Sequence, residues 1–258
     1  MSTGLIIFSR LDSRRLPGKA LIPIADRPLL GHVIDRARRV NNVAEMVVAT
    51  STRVVDDPIV DFAKAEGVAV FRGALDDVAG RALACCERFG FARFARVCGD
   101  RPFFDPDLVS KLAAIHESEE LDLATTMVPR TFPPGLTAEV IGTDALCRAL
   151  AATDDPQDRE HVTSYFYRNP QHFRIHNTAA PEGVDFEGVR LVVDDDEDLE
   201  RARWIVSRLT GPAAHAPMEV VVQLAKEWAA SRMDYRHENC GVGQTVPGNE
   251  GPGTGEYH

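Results

Sequence analysis

The chain has 258 residues, 44% of them hydrophobic, and a formal net charge of -10. That length supports one substantial core, or a core with a smaller lobe, and excludes two ordinary large domains. The acidic balance excludes broad binding to nucleic acid or to an anionic membrane surface, so any anion site must be local.

Cys85, Cys86, Cys98, Cys147 and Cys240 are odd in number, lack C-x-x-C spacing and lie mostly within apolar segments. Buried free thiols in a reducing compartment are expected. The opening MSTGLIIFSR has too short an apolar run for a signal peptide, and no later stretch approaches the ~18 apolar residues of a membrane span. A cytoplasmic protein is expected.

In chain order, LIIF (5–8) reads as a buried parallel strand followed by a basic loop, RLDSRRLPGKAL. PLLGHVIDRARR puts Leu29, Leu30, Val33, Ile34 and Ala37 on one helical face, and EMVVATS (45–51) reads as the next strand. In DDPIVDFAKAEG, Asp57 is the expected N-cap, Pro58 the first helical residue and Gly67 the stop, before the strand VAVF (68–71). A helix over DDVAGRALACCERFG, a strand FARVC (94–98) and a helix capped by Asp105 complete a βα alternation. That pattern predicts a mainly parallel sheet covered by helices. In the second half, LATTMV (123–128), TAEVIG (137–142), FRIHN and VRLVVD read as strands. Helices are expected near 143–152, 157–168, over EDLERARWIVSRL and from Met218 to Ala230. The segment 240–258 lacks the apolar content to pack and is expected to be a disordered tail.

Three places carry candidate chemistry. The loop after the first strand gathers Arg10, Arg14, Arg15 and Lys19 around one carboxylate, Asp12. It sits where open α/β sheets bind ligands, and crowded cations repel one another without a counter-anion. It is neither a Walker A loop nor G-x-G-x-x-G; scattered surface charge is the competing reading. Asp100, just past the strand 94–98, either holds Mg²⁺ or begins a turn. Asp194 closes VRLVVD ahead of Asp195, Asp196, Glu197 and Asp198; the later four suit a helix N-terminus, whereas Asp194 is a candidate metal ligand. His161, in DREHVTSYFY, is either a packed helical histidine or a site residue.

Taken together, R-L-D-S-R-R-L-P-G-K-A-L, GDRP, FPPGLTAEV, REHVT and VRLVVDDDEDL, in that order over roughly residues 4–210, resemble the cytidylyltransferase family. That family includes the SpsF-like spore-coat polysaccharide proteins and the CMP-sugar synthetases for 3-deoxy-manno-octulosonate and acylneuraminate. DDPIVDFA, VFRGALDDVAGR and REHVTSYFY resemble the SpsF-like branch. The resemblance implies an α/β, Rossmann-like nucleotide-diphospho-sugar transferase (GT-A-like) fold over residues 1–235, with a smaller acceptor or dimer lobe near 129–180. It implies Mg²⁺-dependent transfer of CMP from CTP to a sugar acid or related acceptor, in a protein that forms a possible homodimer. By motif match, Phe8, Ser9, Arg10, Ser13, Arg15, Lys19 and Arg81 fall on the nucleotide side, with Arg10, Lys19 and Asp100 catalytic. Asp100 and Asp194 match the metal carboxylates, and Glu139, Arg159 and His161 lie towards the acceptor. Phe8 and Ser9 replace a usual Gln-Ala or Pro-Ala, Asp12 replaces a small residue and Thr137 replaces Asp. A non-catalytic nucleotide-binding module and a nucleotide-sugar-dependent glycosyltransferase are the competing functions for the same fold.

Overall fold

The computed structural model describes residues 2–240, with side chains described through residue 232. Strand β1 (Thr3–Phe8) leads through the basic loop and a short 3-10 turn, residues 19–21, to the two-residue strands β2 (Pro23–Ile24) and β3 (Arg27–Pro28). Helix α1 (Leu29–Ala37), β4 (Glu45–Ser51), α2 (Asp57–Ala65), β5 (Ala69–Gly73), α3 (Val78–Phe89) and β6 (Arg93–Cys98) follow in alternation. Next come α4 (Pro106–Ser118), β7 (Leu123–Thr125), β8 (Glu139–Gly142), α5 (Thr143–Ala151), α6 (Pro156–Glu160), α7 (Ser164–Arg168) and β9 (Ile175–Asn177). Helices α8 (Asp196–Arg208) and α9 (Met218–Cys240) end the described chain.

Seven strands form one sheet in the order β5-β4-β1-β6-β8-β7-β9, in which β8 alone runs against the others. The expected mainly parallel sheet is therefore present. Alternation along the strands builds two cores. Leu5, Ile7, Val48, Ala95, Val97 and Val140 pack against apolar residues of α1, α2 and α4. Ile6, Val47, Ala49, Phe94 and Ile141 pack on the other face against α3, α5 and Phe166. The chain leaves β1 towards β4 and β5, then returns to β6 on the other side of β1. Such a reversal opens a crevice at the strands' carboxyl ends.

Several expectations are corrected. Asp56, not Asp57, is the N-cap of α2; its side chain makes no capping bond because it is committed elsewhere. The 157–168 helix is two helices, α6 and α7, interrupted at 161–163. LATTMV and TAEVIG contribute only 123–125 and 139–142 to the sheet. VRLVVD is no strand: it is an extended segment bonded to loops, by Leu191 N–H to Pro134 O (2.8 Å) and Val193 N–H to Asp100 O (2.8 Å). Gly135 permits this docking, since its φ is +100° and a Cβ there would lie 2.4 Å from the Leu191 carbonyl carbon. Val189, Leu191 and Val193 join α8, α9, Leu16 and Phe103 in a third apolar cluster. Cys85 and Cys86 are buried, with thiol pKa values pushed up to about 12 by burial, but Cys98 is half-buried and Cys147 exposed. Cys240 ends α9, and the rest of the expected disordered tail, 241–258, lies outside the described residues.

Candidate active site

A cleft of about 700 Å³ opens at the carboxyl ends of β1 and β6. Phe8 and Cys98 pair across these two strands, and Gly99 N–H donates to Phe8 O at 2.8 Å. Gly99 is glycine for room: a Cβ would lie 2.9 Å from Ser9 Cβ and 3.1 Å from Phe8 O. The turn after β6 is thereby pressed against the start of the basic loop.

The loop is anchored at both ends. Leu16 is buried in the third cluster, Gly18 N–H donates to Leu11 O (2.7 Å), and Gly18 adopts φ +74° before the 3-10 turn that carries Lys19. From the neighbouring β4–α2 connection, fully buried Asp56 accepts Leu11 N–H at 2.8 Å and the Ser51 hydroxyl. Asp12 pairs with Arg53 (2.7 Å) and Arg10 (3.7 Å), not with Arg14. The Arg53 hydrogen bond holds the Asp12 carboxyl below its ordinary value, against the opposing effect of partial burial. Asp12 therefore ties the loop to the β4–α2 connection instead of sitting as an uncompensated charge among the loop's cations.

Lys19 is the focus of the cleft. Its Nζ donates to Asp100 Oδ2 (2.9 Å), Asp194 Oδ1 (3.0 Å) and Val193 O (2.8 Å). The Val193–Asp100 backbone bond is what places Asp194 opposite Asp100. Asp194 also meets Arg15 and Arg190, each at 3.0 Å. Burial raises its pKa, but the Lys19 hydrogen bond and the three nearby cations outweigh burial and hold the carboxyl below its usual range. Two carboxylate oxygens converging on one ammonium are spaced to share one cation. Mg²⁺ is commonly held by one or two carboxylates, with water and phosphate oxygens completing its shell, so the pair fits that ion. Among the described residues, no group of three or more His, Cys, Asp or Glu side chains forms an alternative metal cluster.

Phe8, Ser9, Arg10, Ser13, Arg15, Lys19, Arg81, Asp100, His161 and Asp194 all line the cleft. Arg81 is buried, stands 5.7 Å from the Phe8 ring centroid and donates to Ala74 O; burial lowers its pKa. Glu139 and Arg159 do not line the cleft. Glu139 is buried behind Arg96, whereas Arg159 bonds Asp77 (3.1 Å), the residue capping α3 through Gly80 N–H. Thr137 is also off the cleft and accepts two hydrogen bonds from Arg101. Lining residues that the sequence reading passed over include Arg96, Cys98, Asp76 and Glu160. For Arg96 a signal existed, because it is a charge between Phe94 and Cys98 on the same row of the strand.

The cytidylyltransferase family model matches residues 5–221. The chain belongs to the cytidylyltransferase family. It is 31% identical to the spore coat polysaccharide biosynthesis protein SpsF of Bacillus subtilis, across 79% of this chain and 85% of that protein. It is also 31% identical to 3-deoxy-manno-octulosonate cytidylyltransferase of Serratia proteamaculans, across 79% of this chain and 98% of that protein. A cytidylyltransferase structure from Leptospira borgpetersenii superposes with TM-score 0.82 at 24% identity, covering 95% of this chain and 99% of that one. The expected nucleotide-diphospho-sugar transferase fold is thus present, and this cytidylyltransferase is a nucleotidyl-transferring enzyme. No described helix is long and apolar enough to cross a membrane.

Proposed function

We propose that this cytidylyltransferase transfers CMP from CTP to a hydroxyl of a small anionic, polyhydroxylated acceptor such as a sugar acid, with Mg²⁺ as its cofactor. The observation that carries the reading is the convergence of Asp100 and Asp194 on Lys19 at the mouth of a loop rich in arginine. In the reaction an acceptor oxygen bonds to the α-phosphorus as the bridge to the β-phosphorus breaks. Pyrophosphate takes the bonding pair, and the acceptor's proton passes to water.

Little covalent work falls to the protein, so rate comes from positioning and from cancelling charge. Arg10, Ser13, Arg15 and Lys19 hold the triphosphate and stabilise the departing pyrophosphate. Phe8, Ser9 and Arg81 form the nucleotide wall, and His161 faces the acceptor. Asp100 and Asp194 would hold the metal, which supplies charge neutralisation at the phosphate when bound. Occupation of that pair requires Lys19 to leave it, and the nearest use for the freed ammonium is the triphosphate. The reading extends over residues 1–235 as one catalytic unit, with 129–180 on the acceptor side.

The test is pyrophosphate release by the wild-type protein with Mg²⁺, crossing the four nucleoside triphosphates with sugar acids, sugar phosphates and neutral polyols. Turnover with CTP and an anionic acceptor is expected. Tight CTP binding with no turnover for any pair would overturn the reading in favour of a nucleotide-binding module.

A further inference from the structure

Phe94, Arg96 and Cys98 alternate onto one face of β6. Phe94 is fully buried in the core on that face, and the row then turns polar as it enters the cleft. Directly across the antiparallel pairing, Arg96 faces Glu139, and its Nη1 donates to Glu139 Oε2 at 2.6 Å. The other carboxylate oxygen accepts the hydroxyls of Thr163 (2.7 Å) and Tyr167 (2.5 Å), and Tyr167 is in turn braced by Thr125 at 2.7 Å. Glu139 therefore has both oxygens occupied and is closed off from the cleft.

Arg96 is in the opposite condition. Its side chain lines the cleft, and its Nε is buried without a hydrogen-bond partner. A guanidinium offers five N–H donors; Nη1 is engaged by Glu139, and with its side chain 20% exposed Arg96 keeps further donors for a molecule in the cleft. A buried ion pair gives little net stability over apolar packing, so fold stability alone is a weak reason for Arg96 and Glu139 at this spot. Arg96 and Asp100 are four residues apart, at most about 13 Å along an extended strand at ~3.3 Å per residue. A monosaccharide-sized molecule anchored at Arg96 can therefore present a hydroxyl towards the Asp100 end.

We propose that Arg96 is the acceptor-binding residue that reads an oxyanion, carboxylate or phosphate, and that Glu139 is a positioning residue that aims it. This rests on the cytidylyl-transfer reading and names the side chain that selects the acceptor. Glu139 already balances the guanidinium's charge, so an acceptor oxyanion would be held by charge-assisted hydrogen bonds from the remaining N–H donors, which a neutral acceptor takes up more weakly.

The first test compares wild type, Arg96→Lys and Arg96→Met in pyrophosphate release with CTP, using sugar acids, sugar phosphates and neutral polyols. Loss of a charged hydrogen bond is worth roughly 10- to 150-fold. Arg96→Met is expected to raise acceptor KM by about that factor while leaving CTP affinity unchanged, and Arg96→Lys to recover part of it. The sugar-acid and sugar-phosphate arms distinguish which oxyanion is read. Because Arg96→Met alone strands Glu139, the double variant Arg96→Met/Glu139→Gln is the folding control and must show the same KM defect. An unchanged acceptor KM, or equal use of neutral polyols by wild type, overturns the proposal.

The second test needs no turnover. Cys98 also lines the cleft, so its alkylation by iodoacetamide, read by mass spectrometry in a Cys147→Ser background, reports occupancy. Slowing by 3-deoxy-manno-octulosonate or a sugar phosphate, but not by mannitol, is expected in wild type and lost in Arg96→Met. Equal protection in both proteins overturns the proposal. Failure of the transfer reading shows separately, as CTP bound without pyrophosphate release from any acceptor, and the Cys98 result then still decides the Arg96 assignment.

Discussion

Replacing Lys19 by Met removes the one cation that Asp100 contacts among the described residues while leaving Asp194 with Arg15 and Arg190. The Lys19 side chain is 13% exposed and its two carboxylate partners 26% and 22%. Breaking a fully buried pair costs roughly 3–5 kcal/mol, and partial solvent access here reduces that to about 1–2 kcal/mol. For a chain of this size the melting temperature should fall by roughly 2–8 °C. The same vacancy should favour a divalent ion, because the ammonium no longer competes for the two carboxylate oxygens. Nucleotide-free Lys19→Met should therefore gain more melting temperature from 10 mM Mg²⁺ than wild type gains. Differential scanning fluorimetry with and without Mg²⁺ reads both effects, with Ca²⁺ and raised NaCl as controls. A variant as stable as wild type, or one with no larger Mg²⁺ response, would refute the shared-cation geometry.

Asp56→Ala should cost about 1–3 kcal/mol by leaving Leu11 N–H without its acceptor, and should weaken CTP binding measured by calorimetry; unchanged affinity would contradict its role in shaping the loop. Gly135→Ala should destabilise by more than about 1 kcal/mol, since the position combines positive φ with contact against Leu191; chemical denaturation measures it. His116 is buried, its ring nitrogens have no hydrogen-bond partner, and burial, with the nearby Arg93 charge, lowers its pKa to about 4 from 6.5. The folded state therefore binds this proton less readily than the unfolded chain. The neutral histidine's full contribution is present above pH 6.5 and falls by about 3 kcal/mol as pH drops towards 4. Urea unfolding from pH 7.5 to 4.5 should show this loss in wild type and a shallower one in His116→Leu; parallel profiles would exclude His116 as the source.

The parts of the fold that the sequence made legible are those specified locally. Asp105 followed by Pro106 caps α4 as expected, accepting Asp107 N–H at 2.9 Å, and Gly67 and Gly90 stop their helices with positive φ. The short apolar runs at 5–8, 45–51 and 94–98 became central strands because both faces of the sheet are covered. VRLVVD has the same composition but docks on the loops at Pro134 and Asp100, and strand partners are not encoded in a single segment's periodicity. Asp57 looked like a cap because Pro58 follows it; that Asp56 serves the loop at Leu11, 45 residues away, could not be read from spacing. The basic loop, Asp100 and Asp194 were legible as cleft residues because each follows or adjoins an expected element end, whereas His161, expected inside a 157–168 helix, was placed by the family resemblance alone. Asp12 and Arg53, or Arg96 and Glu139, were not legible as pairs, since their meeting depends on strand order and register.

The central claim is that Asp100, Asp194 and Lys19 form the reaction centre of a CTP-dependent transfer. Its most direct measurement is pyrophosphate release from CTP by Asp100→Asn beside wild type, with the best anionic acceptor and saturating Mg²⁺, after circular dichroism has established that both are folded. A loss of roughly 10²–10³-fold in kcat is expected from removing one preorganised charge at the phosphate. Turnover by Asp100→Asn equal to that of wild type would contradict the assignment.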